Sequence, residues 1–350
     1  MVPFAVALTA PRSVALVDEP VADLGPADVR LQTLYSGISA GTELAAYRGT
    51  NPYLHKQWDA ERRLFVPEAE DAPTPFPLTS WGYEEVGEVV EAGRESGLEL
   101  GDVVFGTWGH RSQHVGPGAY ARDRVLPASI DARLGIFSHI GPTALNGVLD
   151  CAVRLGETAA VFGLGVVGQL CVQLLRLSGA RVVGADLLAS RRELAGRLGL
   201  ERVVDPADGP TASQIKHLTD GRGADVCIEA SGSTVALHEA IRACAYNGRV
   251  VALGFYQGQA QGLFLGEEFH HNRIGLVCSQ IGGIAPELQH RWDRLRLVRT
   301  FMDLAIRGAV ACTPLITHQV PAREAPAMYR LLDERPQDVL QAVLDFRSNA

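Results

Sequence analysis

Two hydrophobic rhythms divide the chain. Up to about residue 135, short alternating runs such as Ala5-Val6-Ala7-Leu8, Val29-Arg30-Leu31-Gln32 and Val86-Gly87-Glu88-Val89-Val90 are separated by Gly, Pro and Asp. A period of two, broken by turn formers, predicts a β-rich segment. From Ala159 the pattern changes to strand–helix alternation. Strands are predicted at residues 159–162, 181–185, 225–228, 249–253 and 274–278, with helices over 166–178 and 190–198. Strands separated by helices of this length pair in parallel, so the segment predicts an α/β fold with a doubly wound parallel sheet. Beyond about Gly283 come a helix (287–307), a short strand (314–317), another helix and a terminal strand (339–346). That tail is too small for a core of its own and is expected to rejoin the first domain. The expected division is 1–143 with 285–350, and 144–284.

Residues 51–78 break the first rhythm. A charged piece at 56–64 reads as helical, and Pro67, Pro73, Pro75 and Pro77 follow. The stretch is a surface excursion: a lid, part of a substrate pocket, or a plain insertion.

Composition narrows the function classes. A length of 350 residues suggests two domains at about 150 residues each. With 47% apolar and 21% charged positions, the chain is an ordinary globular one, which excludes wholesale disorder, collagen and coiled coil. Thirty-two basic against forty acidic residues leave a formal charge of −8. No Lys/Arg run supplies a basic face for phosphates, so nucleic acid is not expected as a partner. Residues 158–175 carry no charge and approach the length of a membrane span. Gly163, Gly165, Gly168, Gln169 and Gln173 interrupt them, and a buried strand, tight turn and helix explain them better. No basic region followed by a long apolar run stands at Met1-Val2-Pro3-Phe4, so a cytoplasmic location without membrane association is expected. The six cysteines include no CxxC pair, and reduced, mostly buried thiols are expected.

The sharpest motif is Gly163-Leu164-Gly165-Val166-Val167-Gly168, between a predicted strand and a predicted helix. Gly163 permits a tight turn, Gly165 lets backbone approach a pyrophosphate, and Gly168 lets helix and strand pack closely. The helix N-terminus then offers free N–H groups and the positive end of its dipole to the anion. Asp186 closes the next strand eighteen positions after the last glycine. It would accept both adenosine ribose hydroxyls and repel a 2′-phosphate, favouring NAD over NADP. Arg191 could stack on adenine or touch the ribose, and is the residue most able to reverse that preference. Ser231 and Gly254, which follow the strands predicted at 225–228 and 249–253, complete the cofactor set. The alternative is a glycine-rich turn that holds no nucleotide.

The order of these features resembles the medium-chain dehydrogenase/reductase superfamily over essentially the whole chain. The matching pieces are Ser36-Gly37-Ile38-Ser39-Ala40-Gly41-Thr42-Glu43, Gly82-Tyr83-Glu84-Glu85-Val86-Gly87-Glu88-Val89 and Gly101-Asp102-Val103-Val104. Thr143-Ala144-Leu145, the glycine motif and Leu315-Ile316-Thr317-His318 complete them. The resemblance implies a Rossmann domain inserted into a discontinuous GroES-like β-barrel domain. It also implies a nicotinamide cofactor, Thr143 on the nicotinamide side, and a homodimer formed through the strand at 274–279.

Two positions depart from the zinc alcohol dehydrogenases of that superfamily. Ser39 stands where they place a cysteine ligand, and Tyr83 where they place a histidine. Their third ligand falls near His139, and the usual glutamate survives as Glu84. A serine hydroxyl and a phenol are poor ligands for Zn²⁺. The four cysteines of a structural zinc site are also missing. A zinc-free member is therefore expected. A rearranged metal site from His110, His114, His139 and Glu84 is the alternative to solvent-facing loop histidines. The short motifs around Ser39 and Tyr83 resemble the bacteriochlorophyllide a dehydrogenase group in particular.

Without zinc, hydrogen-bond donors must serve the developing alkoxide or carbonyl oxygen. Tyr83 is the first candidate: it donates to a ketone oxygen, or accepts the alcohol proton if its pKa falls from about 10. The competing view is a packed tyrosine with a satisfied hydroxyl. Ser39 and Thr42 would relay a proton or orient substrate, Glu84 flanks them, and His139 would contact substrate or nicotinamide. The turn His270-His271-Asn272-Arg273 caps a sheet edge or borders a ligand. These features describe an NAD-dependent, zinc-independent oxidoreductase acting on a secondary alcohol or its ketone. A quinone or enone reductase, a non-catalytic nicotinamide-binding protein and a zinc dehydrogenase with unusual ligands are the alternatives.

Overall fold

The structure, a computed structural model, describes residues 2–20, 22–67 and 75–347. The chain forms two compact units, Met1–His139 with Ile316–Ala350, and Ile140–Leu315.

In the first unit the strand Asp28–Ile38 organises the sheet. It pairs antiparallel with Glu85–Ala92 on one side and with Gln341–Asp345 on the other. The full order is Ile316–Pro321, Gln341–Asp345, Asp28–Ile38, Glu85–Ala92, Val103–Gly106 and Val125–Leu126, and Gln113–Pro117 also pairs Asp28–Ile38. Val6, Leu8, Ile38, Leu44, Tyr47, Trp81, Met328, Tyr329 and Leu344 share one buried cluster. Each large apolar side chain so buried contributes about 1.5–3 kcal/mol. This core fixes three pieces against one another: the helix Ala40–Tyr47, the loop at 81–84 and the helix Ala325–Glu334.

The second unit carries a six-stranded sheet in the order Arg202–Val204, Arg181–Ala185, Thr158–Phe162, Ala224–Glu229, Cys244–Ala252, Gly275–Cys278. Every neighbouring pair is parallel. Ala160, Phe162, Val183 and Ala185 join a core with Ile215, Leu237 and Ile241 from two helices. Ala159, Val161 and Val182 are equally buried, facing the other way by strand alternation. Burial on both faces is what makes these strands read as continuous apolar runs. The order reverses at Thr158–Phe162, the switch point where such sheets bind ligands beyond their C-terminal ends.

Three expectations change. Residues 140–143 and 285–315 belong to the second unit, not the first. The helix Arg294–Ile306 begins later than the pattern predicts. Its Phe301 is wholly buried, with ring atoms 2.0–2.3 Å from where a Cβ on Gly141 would sit. Gln173 adds hydrogen bonds in both directions to the Ala311 backbone. The charged piece at 56–64 is not helical: Lys56–Asp59 and Leu64–Pro67 form a hairpin. Asp59 accepts the N–H groups of Glu61 and Arg62 at 3.0 and 2.8 Å, and Arg63 takes a left-handed φ of 54°. Trp58 meets Phe65 edge-on across the strands. Residues 68–74 of the excursion, including Pro73, lie outside the described residues. Among the described residues no helix is long and apolar enough to cross a membrane. All six cysteines are free, and five are buried.

Candidate active site

Ser39 ends the strand Asp28–Ile38 and stands at the N-cap of Ala40–Tyr47, yet its hydroxyl caps no helix N–H. A serine there ordinarily spends its oxygen on the second or third helical N–H. Here the Ser39 hydroxyl instead hydrogen-bonds the Tyr83 phenol. Thr42 supplies a second hydroxyl to the same phenol. The His139 ring lies against Tyr83, with centroids 4.4 Å apart and planes inclined by 45°. Glu84 follows directly and is fully buried. Its Oε2 accepts from Gln341 Nε2 at 3.1 Å, while Oε1 has no partner. Gly37 is the residue that admits it, because a Cβ there would stand 2.3 Å from Glu84 Oε2. The five residues Ser39, Thr42, Tyr83, Glu84 and His139 thus form one cluster.

Electrostatics sets what the cluster can do. Burial, then the charges of Glu43 and Glu85, hold the Glu84 carboxyl well above its usual range. These surroundings favour its neutral form. Burial also pushes the Tyr83 phenol above its ordinary value, with Glu84 adding to the rise and the Ser39 and Thr42 hydrogen bonds opposing it. Of the two roles weighed for Tyr83, the base that needs a lowered pKa is the one these surroundings disfavour. Desolvation disfavours the anion, so the Tyr83 phenol holds its proton more firmly than a free one.

The expected loop histidines also differ. His110 is wholly buried, not solvent-facing, and pairs with Glu43 at 2.9 Å. His114 stacks on Trp108 at 5.6 Å, and burial with the nearby Arg111 charge lowers its pKa to about 4. Neither joins His139 and Glu84 in a metal site. Among the described residues, the one group of His, Cys, Asp or Glu close enough to hold a cation is His238, Glu267 and Glu268 in the second unit. There Arg242 already pairs with Glu268 at 3.1 Å.

The glycine motif lies between the strand Thr158–Phe162 and the helix Val166–Leu177. Gly163 has a φ of 89°, which only glycine adopts readily. A Cβ on Gly168 would stand 1.8 Å from the Gly163 carbonyl oxygen, whereas Gly165 meets nothing nearer than Arg191 Nη1 at 3.9 Å. No side chain caps the helix at Gly165. The first-turn N–H groups of Val166 and Val167 therefore lack a side-chain partner, as a diphosphate cradle requires. Leu164 works indirectly: its side chain is fully buried, and its N–H is spent on Asp186 Oδ2 at 2.7 Å. Asp186 Oδ1 takes the Leu188 N–H at 2.8 Å, and Arg191 Nη1 lies 3.8 Å from Oδ2. Each carboxylate oxygen retains a lone pair for a ribose hydroxyl.

Sequence reasoning missed Glu229. Fully buried at the end of Ala224–Glu229, it accepts from Ser231 N at 2.7 Å, the Ser231 hydroxyl, Gly232 N at 3.0 Å and Tyr256 OH at 2.5 Å. One carboxylate thereby ties together the turns that carry Ser231 and Gly254, whose N–H bonds the Glu229 carbonyl at 2.9 Å. The signal was an acid at a strand's C-terminal end, next to Ala-Ser-Gly. Thr143 is half-buried on the helix Phe137–Cys151. The turn at His270 and His271 is exposed and bonds locally, His271 Nδ1 to the Glu267 carbonyl at 3.0 Å.

Comparison with known proteins identifies the family. Residues 166–296 match the family described as zinc-binding dehydrogenase. D-guloside 3-dehydrogenase of Shigella flexneri is 31% identical over 345 residues, covering 97% of this chain and 98% of that protein. L-threonine 3-dehydrogenase of Pyrococcus horikoshii is 28% identical, covering 87% of each. Among solved structures, a dehydrogenase from Sinorhizobium meliloti bound to NADP superposes with a TM-score of 0.74 at 20% identity, over 98% of this chain and 99% of that one. The chain belongs to the medium-chain dehydrogenase/reductase superfamily: an oxidoreductase of the zinc-binding dehydrogenase family, with GroES-like and Rossmann domains. Its own donors do not fit the metal of that family name. Two hydroxyls bonded to each other stand where the resemblance implies thiolate and imidazole, and the phenol resists ionisation.

Proposed function

We propose that this protein is an NAD-dependent, zinc-independent dehydrogenase that interconverts a secondary alcohol and its ketone, with the secondary hydroxyl of a glycoside as the leading substrate class. The observation that carries the reading is the Ser39–Tyr83 hydroxyl pair, with Thr42 as a further donor, at the positions where zinc relatives keep ligands. The substrate class follows from the whole-chain kinship with D-guloside 3-dehydrogenase.

Bound NAD would supply hydride acceptance at its nicotinamide ring. The residues that would hold it are Gly163, Gly165 and Gly168 at the diphosphate, and Asp186 at the adenosine ribose. Arg191 would lie beside the ribose, Ser231 and Gly254 on turns braced by Glu229, and Thr143 on the nicotinamide side. Tyr83 donates its proton to the substrate oxygen in carbonyl reduction. In alcohol oxidation it takes the substrate proton while passing its own to Ser39 or Thr42, and half-buried Thr42 in the same relay gives up its hydroxyl proton to solvent water, so the phenolate is never a resting state. His139 supports the phenol face and borders the substrate.

Chelator-treated protein, with zinc measured by elemental analysis, tests the proposal. We expect it to oxidise methyl D-gulopyranoside with NAD at an undiminished rate. Activity that disappears on chelation and returns with Zn²⁺ would overturn zinc independence. NAD binding without turnover on glycosides, small secondary alcohols and ketones would favour the non-catalytic alternative.

A further inference from the structure

Beneath the hydroxyl pair lies a polar circuit that no role above uses. Glu43 Oε1 accepts the Ser39 N–H at 2.8 Å, and its Oε2 pairs with His110 Nε2 at 2.9 Å. His110 Nδ1 meets Ser36 Oγ at 2.6 Å, and Ser36 donates to Glu85 Oε1 at 3.0 Å. The same Glu85 oxygen accepts the Glu84 N–H at 3.1 Å, and its other oxygen accepts the Trp108 N–H at 2.7 Å. Tyr329 donates to Glu43 Oε2 and lies 2.9 Å from His110 Nε2. Glu43, His110, Ser36, Glu85 and Tyr329 are all buried.

The circuit closes on the site. One end grips the backbone of Ser39, the other grips Glu84 beside Tyr83, and the Ser39 and Tyr83 side chains bond each other. His110 is the link between the two halves. It also packs against the turn before Tyr83, since a Cβ on Gly82 would stand 2.6 Å from the His110 ring. We propose that His110 is a positioning residue: through Glu43 on one side and Ser36–Glu85 on the other, it holds Ser39 and Tyr83 in hydrogen-bonding register.

The charges are consistent with that role. Burial would lower the His110 pKa, but the carboxylates of Glu43 and Glu85 raise it above the ordinary value. An imidazole between two carboxyl groups lets each buried polar atom find a partner in this interior. A serine–histidine–acid series is present, Ser36–His110–Glu43, but its complete burial denies it a substrate. Its function is geometric.

The proposal rests on the reading of Ser39 and Tyr83 as the proton-handling pair, and two readouts separate them. The first is a double-mutant cycle on methyl D-gulopyranoside oxidation with NAD. His110→Gln is expected to lower kcat at least tenfold while leaving KM for NAD within twofold. In a Ser39→Ala background the same change is expected to add less than twofold. Equal losses in both backgrounds would overturn the proposal, because a merely destabilising change is blind to Ser39. The second needs no turnover: the crystal structure of the His110→Gln apoprotein. A parted Ser39–Tyr83 contact supports the proposal, and an intact one overturns it, even if Tyr83→Phe proves fully active. Should His110→Gln fail to fold, Tyr329→Phe removes only one hydroxyl from the circuit and is read in the same two ways.

Discussion

The Ser39 hydroxyl and the Tyr83 phenol bond each other rather than capping a helix or binding backbone. Burial opposes ionisation of the Tyr83 phenol, so the pair is one of two neutral hydroxyls. A pre-formed bond between them fixes the phenol before substrate arrives, which is where preorganised donors gain their catalytic effect.

Replacing Tyr83 with Phe removes the hydroxyl and leaves the ring packed against His139. General acid–base groups contribute about 10²–10⁴ in rate, so kcat on methyl D-gulopyranoside should fall at least about a hundredfold, with NAD binding unchanged. Because burial raises the phenol's pKa, the wild-type rate between pH 6 and 9 should show no inflection from Tyr83. A Tyr83→Phe enzyme with full turnover, in conditions where chemistry limits the rate, would remove the residue from the mechanism.

Glu84 gives a prediction with a definite sign. Its folded-state pKa lies above the unfolded one, so the folded protein holds a proton that the unfolded chain releases. Stability from that group is complete below the unfolded carboxyl pKa and is lost as pH rises from about 4.5 toward the raised value. Glu84→Gln removes the titration while preserving shape, and Gln341 still finds an acceptor. The melting temperature of the variant relative to wild type should therefore rise between pH 4.5 and 7.5. A difference independent of pH would show that Glu84 is not held neutral.

Much of the nucleotide half was legible because neighbouring positions decide it. Strand run, glycine spacing, helix and terminal acid lie within thirty residues, and Gly163, Gly168 and Asp186 stand where those local rules place them. The cluster at Ser39 and Tyr83 was legible only through resemblance, since nothing local links positions 39 and 83. The supporting circuit was not legible. Its partners are 49 residues apart at Ser36–Glu85 and 286 apart at Glu43–Tyr329, and a lone histidine in a glycine-flanked segment reads as exposed. The helix Arg294–Ile306 failed for a related reason. Periodicity shows that Phe301 is buried, but not that Gly141 makes room for it. The hairpin at 56–67 was hidden because the Asp59 turn, not residue charge, decides its shape.

The second unit's edge strand, Gly275–Cys278, pairs on one side only within the sheet and leaves Leu276 39% exposed. An unpaired edge with apolar side chains is a template for another strand. A homodimer through this edge is the expected assembly. Leu276→Pro removes one N–H from it, and light scattering should then report a mass near 37.5 kDa instead of twice that. A wild-type monomer, or an unaffected variant dimer, would place the contact elsewhere or nowhere.

Under the proposed function, Asp186 would decide which nicotinamide cofactor is used. Its oxygens each accept one backbone N–H, from Leu164 and Leu188, and keep a lone pair outward. A ribose 2′-hydroxyl can donate there, whereas a 2′-phosphate would face a buried carboxylate. Arg191, 3.8 Å from that carboxylate, is the cation that a phosphate would recruit once the acid is gone. Asp186→Ser should therefore shift the ratio of kcat/KM for NAD over NADP toward NADP by tenfold or more, equivalent to about 1.4 kcal/mol. Adding Arg191→Ala should cancel the gained NADP activity, because the guanidinium is then missing. Steady-state kinetics with both cofactors reads the two variants. An Asp186→Ser ratio equal to wild type would mean that the carboxylate braces the glycine turn without touching the ribose. A preference for NADP in the wild type would mean that Arg191 already dominates the pair.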